Sequence, residues 1–165
     1  MKSIHSHDNH VSVVVVTKNL ATQLVECIGS LIAQTVPPDE VVIIDNNSYY
    51  QTPAIVSQVA HHINFPIRLV KENRAGYPAI YNRGIREAKF EWIAFLDDDC
   101  VAAMHWLEEI KKTIRYHPYA SVILGLSDTY YSDNTFSLTT LYFDQRWKTG
   151  GIIKTRIHNF GILDN

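Results

Sequence analysis

Two cysteines, Cys27 and Cys100, are all that the chain of 165 residues carries, and they fall in no metal-type or redox-type spacing. A reduced, cytoplasmic setting is the expectation. Long apolar runs are missing too. The stretch Val11-Ser12-Val13-Val14-Val15-Val16 is far too short to cross a bilayer and lacks the layout of a signal peptide. Positive charge is not in excess, since the formal net charge is −2, so a broad attraction to nucleic acid is not supported. Glycine is absent from the turn after that first apolar stretch, which reads Thr17-Lys18-Asn19-Leu20, and no G-x-x-x-x-G-K-[S/T] loop occurs anywhere. Without a glycine-rich loop to bring backbone amides close to phosphate, charge on a phosphate ligand would have to be offset by a metal ion.

What is present suits a globular fold. Hydrophobic residues make up 46% and charged residues 19%, and this length can bury a substantial single core. Strand-like and helix-like patterns alternate. Val11 to Val16 is β-branched and reads as a central strand. Leu20, Leu24, Ile28, Leu31 and Ile32 then recur at helical spacing, with Asn19 placed to cap. Pro37-Pro38 closes that segment. Val41-Val42-Ile43-Ile44 is a second strand, running into Asp45-Asn46-Asn47-Ser48. A weaker helix from Pro53 to His61 leads to a third strand over Ile67 to Val70. Pro78 fits the first turn of a helix facing inward through Ile80, Gly84, Ile85 and Ala88. After the strand Trp92 to Leu96, a helix from Trp106 to Tyr116 turns Ile110 and Ile114 inward and pairs Glu108 with Lys112 outside. Pro118 ends it, and Val122-Ile123-Leu124 gives a further strand.

Such alternation predicts an open three-layer α/β/α sandwich with a mostly parallel sheet and right-handed crossovers. Ligands of these sheets gather beyond the carboxyl ends of the strands. Thr17 and Asn19 follow the first strand, Asp45 the second, and Asp97-Asp98-Asp99 the strand ending in Phe95-Leu96. Three adjacent carboxylates repel one another unless a cation compensates. Hard oxygen ligands at a stiff strand end suit Mg²⁺ or Mn²⁺, which commonly hold phosphate-bearing substrates. The bland alternative is a solvated acidic turn.

With these segments in hand, the sequence resembles the family 2 glycosyltransferases, nucleotide-sugar-dependent enzymes of the GT-A fold. The resemblance is carried by Val11 to Asn19, by Pro38-Asp39-Glu40-Val41-Val42-Ile43-Ile44-Asp45-Asn46-Asn47-Ser48, and by Glu72-Asn73-Arg74-Ala75-Gly76 leading into Tyr81-Asn82-Arg83-Gly84-Ile85. Phe95-Leu96-Asp97-Asp98-Asp99 completes it, over about residues 11–110. It implies a metal-dependent enzyme that transfers a sugar from a nucleoside diphosphate donor, of UDP type, to a glycan, lipid-linked or protein acceptor, with inversion. It implies that Thr17 and Asp45 hold base and ribose, with Asn19 also among the residues that bind the nucleotide sugar. An aspartate can accept from the uracil N–H, though Asp45 also reads as a turn residue. Arg74 and Asn82 fall beside the nucleotide, where Arg74 would neutralise phosphate or lie exposed on its loop. The family's D-x-D maps to Asp97 and Asp99, with Asp99 the better metal ligand, Asp97 serving metal or donor, and Asp98 facing ribose or a bridging water.

One family element is missing. Inverting members use an aspartate of a downstream Glu-Asp pair as general base, and no Glu-Asp pair follows Asp99. Asp128, Asp133, Asp144 and Asp164 stand in unmatched context, so the base is unassigned. The expected organisation is a flexible leader (1–10), a donor-binding domain (11–127) and the incomplete start of an acceptor-side region (128–165). The chain is then a donor-binding part of a longer enzyme, or a non-catalytic nucleotide-sugar-binding module. Polysaccharide biosynthesis at the inner face of a membrane, by peripheral contact, is the matching setting. His5, His7 and His10 read as part of a polar tail beside Asp8, and His61-His62 as the end of a surface helix. A metal role for His158 stays open. So does the cluster Tyr130-Tyr131, Tyr142-Phe143 and Trp147, between acceptor platform and covered apolar surface.

Overall fold

The computed structural model describes residues 9–48, 51–61, 63–117 and 120–125, together with the backbone of two short strands at 140–142 and 162–163. Strands and helices alternate as β1 (Val11–Thr17), α1 (Ala21–Ile32), β2 (Glu40–Asp45), α2 (Gln51–Ala60), β3 (Ile67–Lys71), α3 (Tyr77–Glu87), β4 (Trp92–Asp97) and α4 (Trp106–Tyr116). β5 (Val122–Leu124), β6 (Thr140–Tyr142) and β7 (Ile162–Leu163) follow. The strand order is β3-β2-β1-β4-β6-β5-β7. The first four strands run parallel, β6 lies antiparallel to β4 and β5, and β7 antiparallel to β5. This is the expected α/β/α sandwich. Among the described residues no helix is long and apolar enough to cross a membrane.

The period-two alternation of strand side chains divides the core. Val11, Val13, Val15, Val41, Ile43, Ala94 and Leu96 pack with Leu24, Ile28 and Leu31 of α1, Val56 of α2 and Leu107, Ile110 and Ile114 of α4. Val14, Val16, Val42, Ile44, Ile93 and Phe95 face the other way, onto Ile80, Tyr81 and Ile85 of α3. Gly84 lets α3 approach the sheet: a Cβ there would lie 2.5 Å from Val14 Cγ1. α4 takes its N-terminal support from a distant residue, because buried Gln34 accepts from the Leu107 amide at 2.9 Å and donates to Ala103 O at 2.7 Å.

Two local readings are corrected. Asn19 does not cap α1: Leu20 occupies the N-cap position without a side-chain cap bond. Asn19 instead adopts left-handed backbone (φ 61°), and its amide donates to Ser48 Oγ at 2.9 Å. Lys112 forms its ion pair with Glu109, at 3.4 Å, and acts on Glu108 only through its charge, while Glu108 bonds Thr35 and His105. A three-residue offset brings Glu109 under Lys112, and the nearby β2-side loop takes Glu108.

At the amino ends of the strands, polar contacts tie the layers together. Glu40 is buried, and its Oε1 accepts from Ser12 Oγ at 2.6 Å and from the Lys89 amide at 2.6 Å. Its Oε2 lies 3.8 Å from Arg68 Nε, and Arg68 also pairs with Glu87. Beside it, Asp39 accepts from the Val11 amide, from Lys111 Nζ at 2.6 Å and from His10, whose ring stacks on Phe90. His10 thus bonds Asp39 and stacks on Phe90 while its side chain stays half exposed. Burial alone would raise the Asp39 carboxyl, but the bonds from Lys111, Val11 and His10 outweigh it and hold its pKa below the ordinary value. A carboxyl lowered in the folded state adds stability above its unfolded pKa of about 3.9 and loses it as pH falls through the folded value. Asp39→Asn is therefore expected to lower stability at pH 7 and to have less effect at pH 3. Urea midpoints at the two pH values check this, and equal shifts would contradict it.

Candidate functional site

The register of the parallel strands decides what meets at their carboxyl ends. Thr17 pairs with Asp45, Asp45 with Lys71, and Val16 with Asp97. Thr17 and Asp45 are 3% and 1% exposed, and Thr17 Oγ1 and Asp45 Oδ2 are buried atoms without a hydrogen-bond partner. Such a pair is costly in a folded protein unless something fills it. Asp45 Oδ1 is used locally, accepting from the Ser48 amide at 2.8 Å. One oxygen therefore makes the turn, and the other is left without a protein donor.

The loops around this pair are pinned to one another. The Asn46 amide donates to Thr17 O at 3.0 Å, and its side-chain nitrogen donates to Glu72 O and Arg74 O, each at 2.8 Å. Buried Glu72 receives two bonds from the Arg74 guanidinium, at 2.9 and 2.7 Å, and lies 3.9 Å from Arg86. Those Arg74 bonds hold the Glu72 carboxyl down to about 2. Arg74 itself is mostly exposed, so it stands at the rim already engaged with a carboxylate. Gly76, at φ 100°, makes the sharp entry into α3 that a side chain would strain. Asn82 sits half-buried on α3, next to Tyr81.

The three aspartates part company. Asp97 ends β4, and its Oδ1 accepts from the Tyr81 hydroxyl at 2.9 Å. Asp98 turns inward, is buried, and accepts from the Lys18 amide at 3.2 Å. Burial pushes the Asp98 carboxyl up to about 6. The Thr17 side chain and the Lys18 amide oppose that rise, and the charges of Asp99 and Asp97 add to it. The Thr17 hydroxyl faces this carboxyl without the geometry of a hydrogen bond, so its oxygen remains unsatisfied. Asp99 is exposed.

Carboxylate oxygens of Asp97 and Asp99 and the Cys100 sulfur lie within 4.8 Å of one another. Burial, with the charges of Asp97 and Asp99, pushes the Cys100 thiol far up, and its sulfur is in any case a soft ligand that hard cations do not favour. Two hard oxygens remain, a donor set that fits Mg²⁺ or Mn²⁺ rather than a thiophilic metal. Sequence reasoning did not single out Asn46, Glu72 or Tyr81. Glu72 and Tyr81 lay inside recognised segments, but only their contacts reveal what they hold. His5, His7, His62, His158, Tyr130, Tyr131, Phe143, Trp147 and the acids Asp128, Asp133, Asp144 and Asp164 lie outside the described residues, as do the side chain of Tyr142 and most of the region 128–165.

The model of the glycosyl transferase family 2 matches residues 12–164. Glycosyltransferase AglE of Haloferax volcanii is 32% identical over 106 residues, 63% of this chain and 35% of that protein. The S. aureus TarS 1–349 structure in complex with UDP-GlcNAc is 26% identical with a TM-score of 0.66, covering 76% of this chain and 36% of that one. Mannosyltransferase PcManGT from Pyrobaculum calidifontis, in complex with GDP-Man and Mn²⁺, gives a TM-score of 0.67 over 86% of this chain and 47% of that one. At 20% identity it speaks to the fold alone. The chain spans about a third of the length of the curated relatives it matches.

Proposed function

The chain belongs to glycosyl transferase family 2, and from that premise we propose that its strand-end rim binds a nucleoside diphosphate sugar together with a divalent cation, for transfer of the sugar to an acceptor hydroxyl. The observation that carries this reading is the pair of buried, unpartnered oxygens, Thr17 Oγ1 and Asp45 Oδ2, beside the Asp97–Asp99 carboxylates. Asp45 Oδ2 accepts from a ring N–H of the base, as uracil offers, and Thr17 completes the pocket. Asn19 and Asn82 frame it, and Asp98, held against β1, keeps the β1 and β4 loops together. Arg74, paired with Glu72, stands at the rim with guanidinium donors to spare for a diphosphate oxygen. Asp97 and Asp99 would hold Mn²⁺ or Mg²⁺, which when bound stabilises charge on the departing diphosphate as a Lewis acid.

The test is calorimetry with UDP and GDP, each with Mn²⁺ and with chelator. Tighter binding with Mn²⁺ is expected, and binding indifferent to the metal would remove the ion from the reading. Asp45→Asn should weaken UDP binding by about 1–3 kcal/mol, because it can replace an acceptor by a donor at the buried position. Its remaining oxygen still accepts from the Ser48 amide, so the turn should survive. An unchanged UDP affinity would sink the assignment of Asp45.

A second reading is a donor-binding module without transfer, and it turns on the acids beyond the triplet. Among the described residues these are Glu108 and Glu109, and both are engaged along α4, with Thr35, His105 and Lys112. Neither is disposed to act as a base at the rim. Product formation from labelled donor separates the two readings.

A further inference from the structure

We propose that Tyr81 is a positioning residue for Asp97, its hydroxyl fixing the carboxylate in the orientation that receives a divalent cation. The inference rests on the reading above of Asp97 and Asp99 as the cation ligands. Strand geometry explains how a helical tyrosine comes to do this. Phe95 and Asp97 are two residues apart on β4, so their side chains leave the sheet on the same face. That is the face covered by α3, because Phe95 packs with Ile80, Tyr81 and Ile85. The Tyr81 ring meets Phe95 edge-on, with centroids 5.1 Å apart and planes at 66°. Seated there, it directs its hydroxyl to Asp97 Oδ1 at 2.9 Å. On its outer side it stacks with Tyr77, at 6.4 Å between centroids. The ring is thus held between Phe95 and Tyr77 before it orients anything.

The carboxylate needs such a constraint. Asp97 ends its strand beside two further carboxyl groups, and repulsion among them favours its swinging out into water. A hydroxyl donor offsets part of that repulsion and removes rotamer freedom that cation binding would otherwise have to freeze. A carboxylate has acceptor positions to spare, so one can be held by Tyr81 while another ligates. Outer partners of ligating carboxylates typically change metal affinity by about 10–100-fold.

The experiment titrates the full chain with Mn²⁺ alone, followed by electron paramagnetic resonance, in wild type, Tyr81→Phe, Asp97→Asn and the double variant. Tyr81→Phe keeps the ring, so its melting temperature in chelator should match wild type while its Mn²⁺ affinity falls by about 10–100-fold. In the Asp97→Asn background the same change should cost little more, because the hydroxyl acts through that carboxylate. Equal affinity in wild type and Tyr81→Phe overturns the proposal, as does the same loss in both backgrounds. Should Tyr81→Phe melt early, Phe95→Leu loosens the same packing while keeping the hydroxyl. A comparable loss of Mn²⁺ affinity there would assign the effect to packing and overturn the proposal, and retained affinity would support it. Wild type that binds no Mn²⁺ removes the cation reading and this inference together. Wild type that binds it, with Tyr81→Phe unaffected, removes this inference alone.

Discussion

Changing Asp97 and Asp99 together to asparagine is expected to abolish cation-dependent donor binding, at a cost of roughly 3–6 kcal/mol if each charged contact contributes about 1.5–3 kcal/mol. The two carboxylates have oxygens within 4.8 Å of each other and of the soft Cys100 sulfur, so no other hard ligand in that cluster replaces them. A second, opposite effect distinguishes loss of a site from loss of a fold. Without a cation the aspartates repel, and asparagine removes that repulsion while still accepting the Tyr81 hydrogen bond. In chelator the double variant should therefore melt no lower than wild type. Calorimetry with and without Mn²⁺ measures the first effect and thermal denaturation in chelator the second. A variant that binds donor with Mn²⁺ as well as wild type does would refute the ligand assignment. One that melts far lower in chelator would show the acids to be structural.

Glu40→Ala is expected to cost about 2–4 kcal/mol of stability, because it strands buried partners that lose about 1–3 kcal/mol each when left unsatisfied. Ser12 Oγ and the Lys89 amide both donate to Glu40 Oε1, and Ser12 Oγ also accepts from the Phe90 amide. This one carboxyl therefore joins β1, β2 and the turn that leads from α3 into β4. Arg68 would keep Glu87 as a partner, so its loss is smaller. Glu40→Gln retains an acceptor and should cost less than the alanine. Urea denaturation with an unchanged m-value is the measurement. Glu40 opens β2 whereas Asp45 closes it, a strand of six residues away, so nucleotide affinity below the transition should not change. Equal stability of the alanine and glutamine variants would refute the network.

The parallel architecture was legible because it is written in local patterns. β-branched runs such as Val13 to Val16 and Val41 to Ile44, separated by helical spacing of Leu24, Ile28 and Leu31, leave few arrangements that bury every apolar face. Strand ends could be read as well, since polar Thr17, Asp45 and Asp97 interrupt apolar runs. The candidate rim followed from those ends, and register then placed Thr17 beside Asp45 and Asp97 beside Val16. Asn19 shows where local reading fails. Its residue type favours capping, but its amide is used by Ser48, 29 positions away.

By itself, then, the sequence determined the alternation of elements, the rim at which polar residues collect, and the presence of three acids there. Tertiary structure alone decided how those acids differ: Asp97 is held by Tyr81, Asp98 is buried against the Lys18 amide 80 positions away, and Asp99 is left to solvent. It also decided that Gln34 supports α4 and that Asn46 ties the β3–α3 loop to β2. The physical reason is one of range. Periodicity and β-branching act between neighbours and are visible in a short window. A side-chain hydrogen bond depends on which distant segment the sheet order brings within 3 Å, and no local pattern encodes that distance.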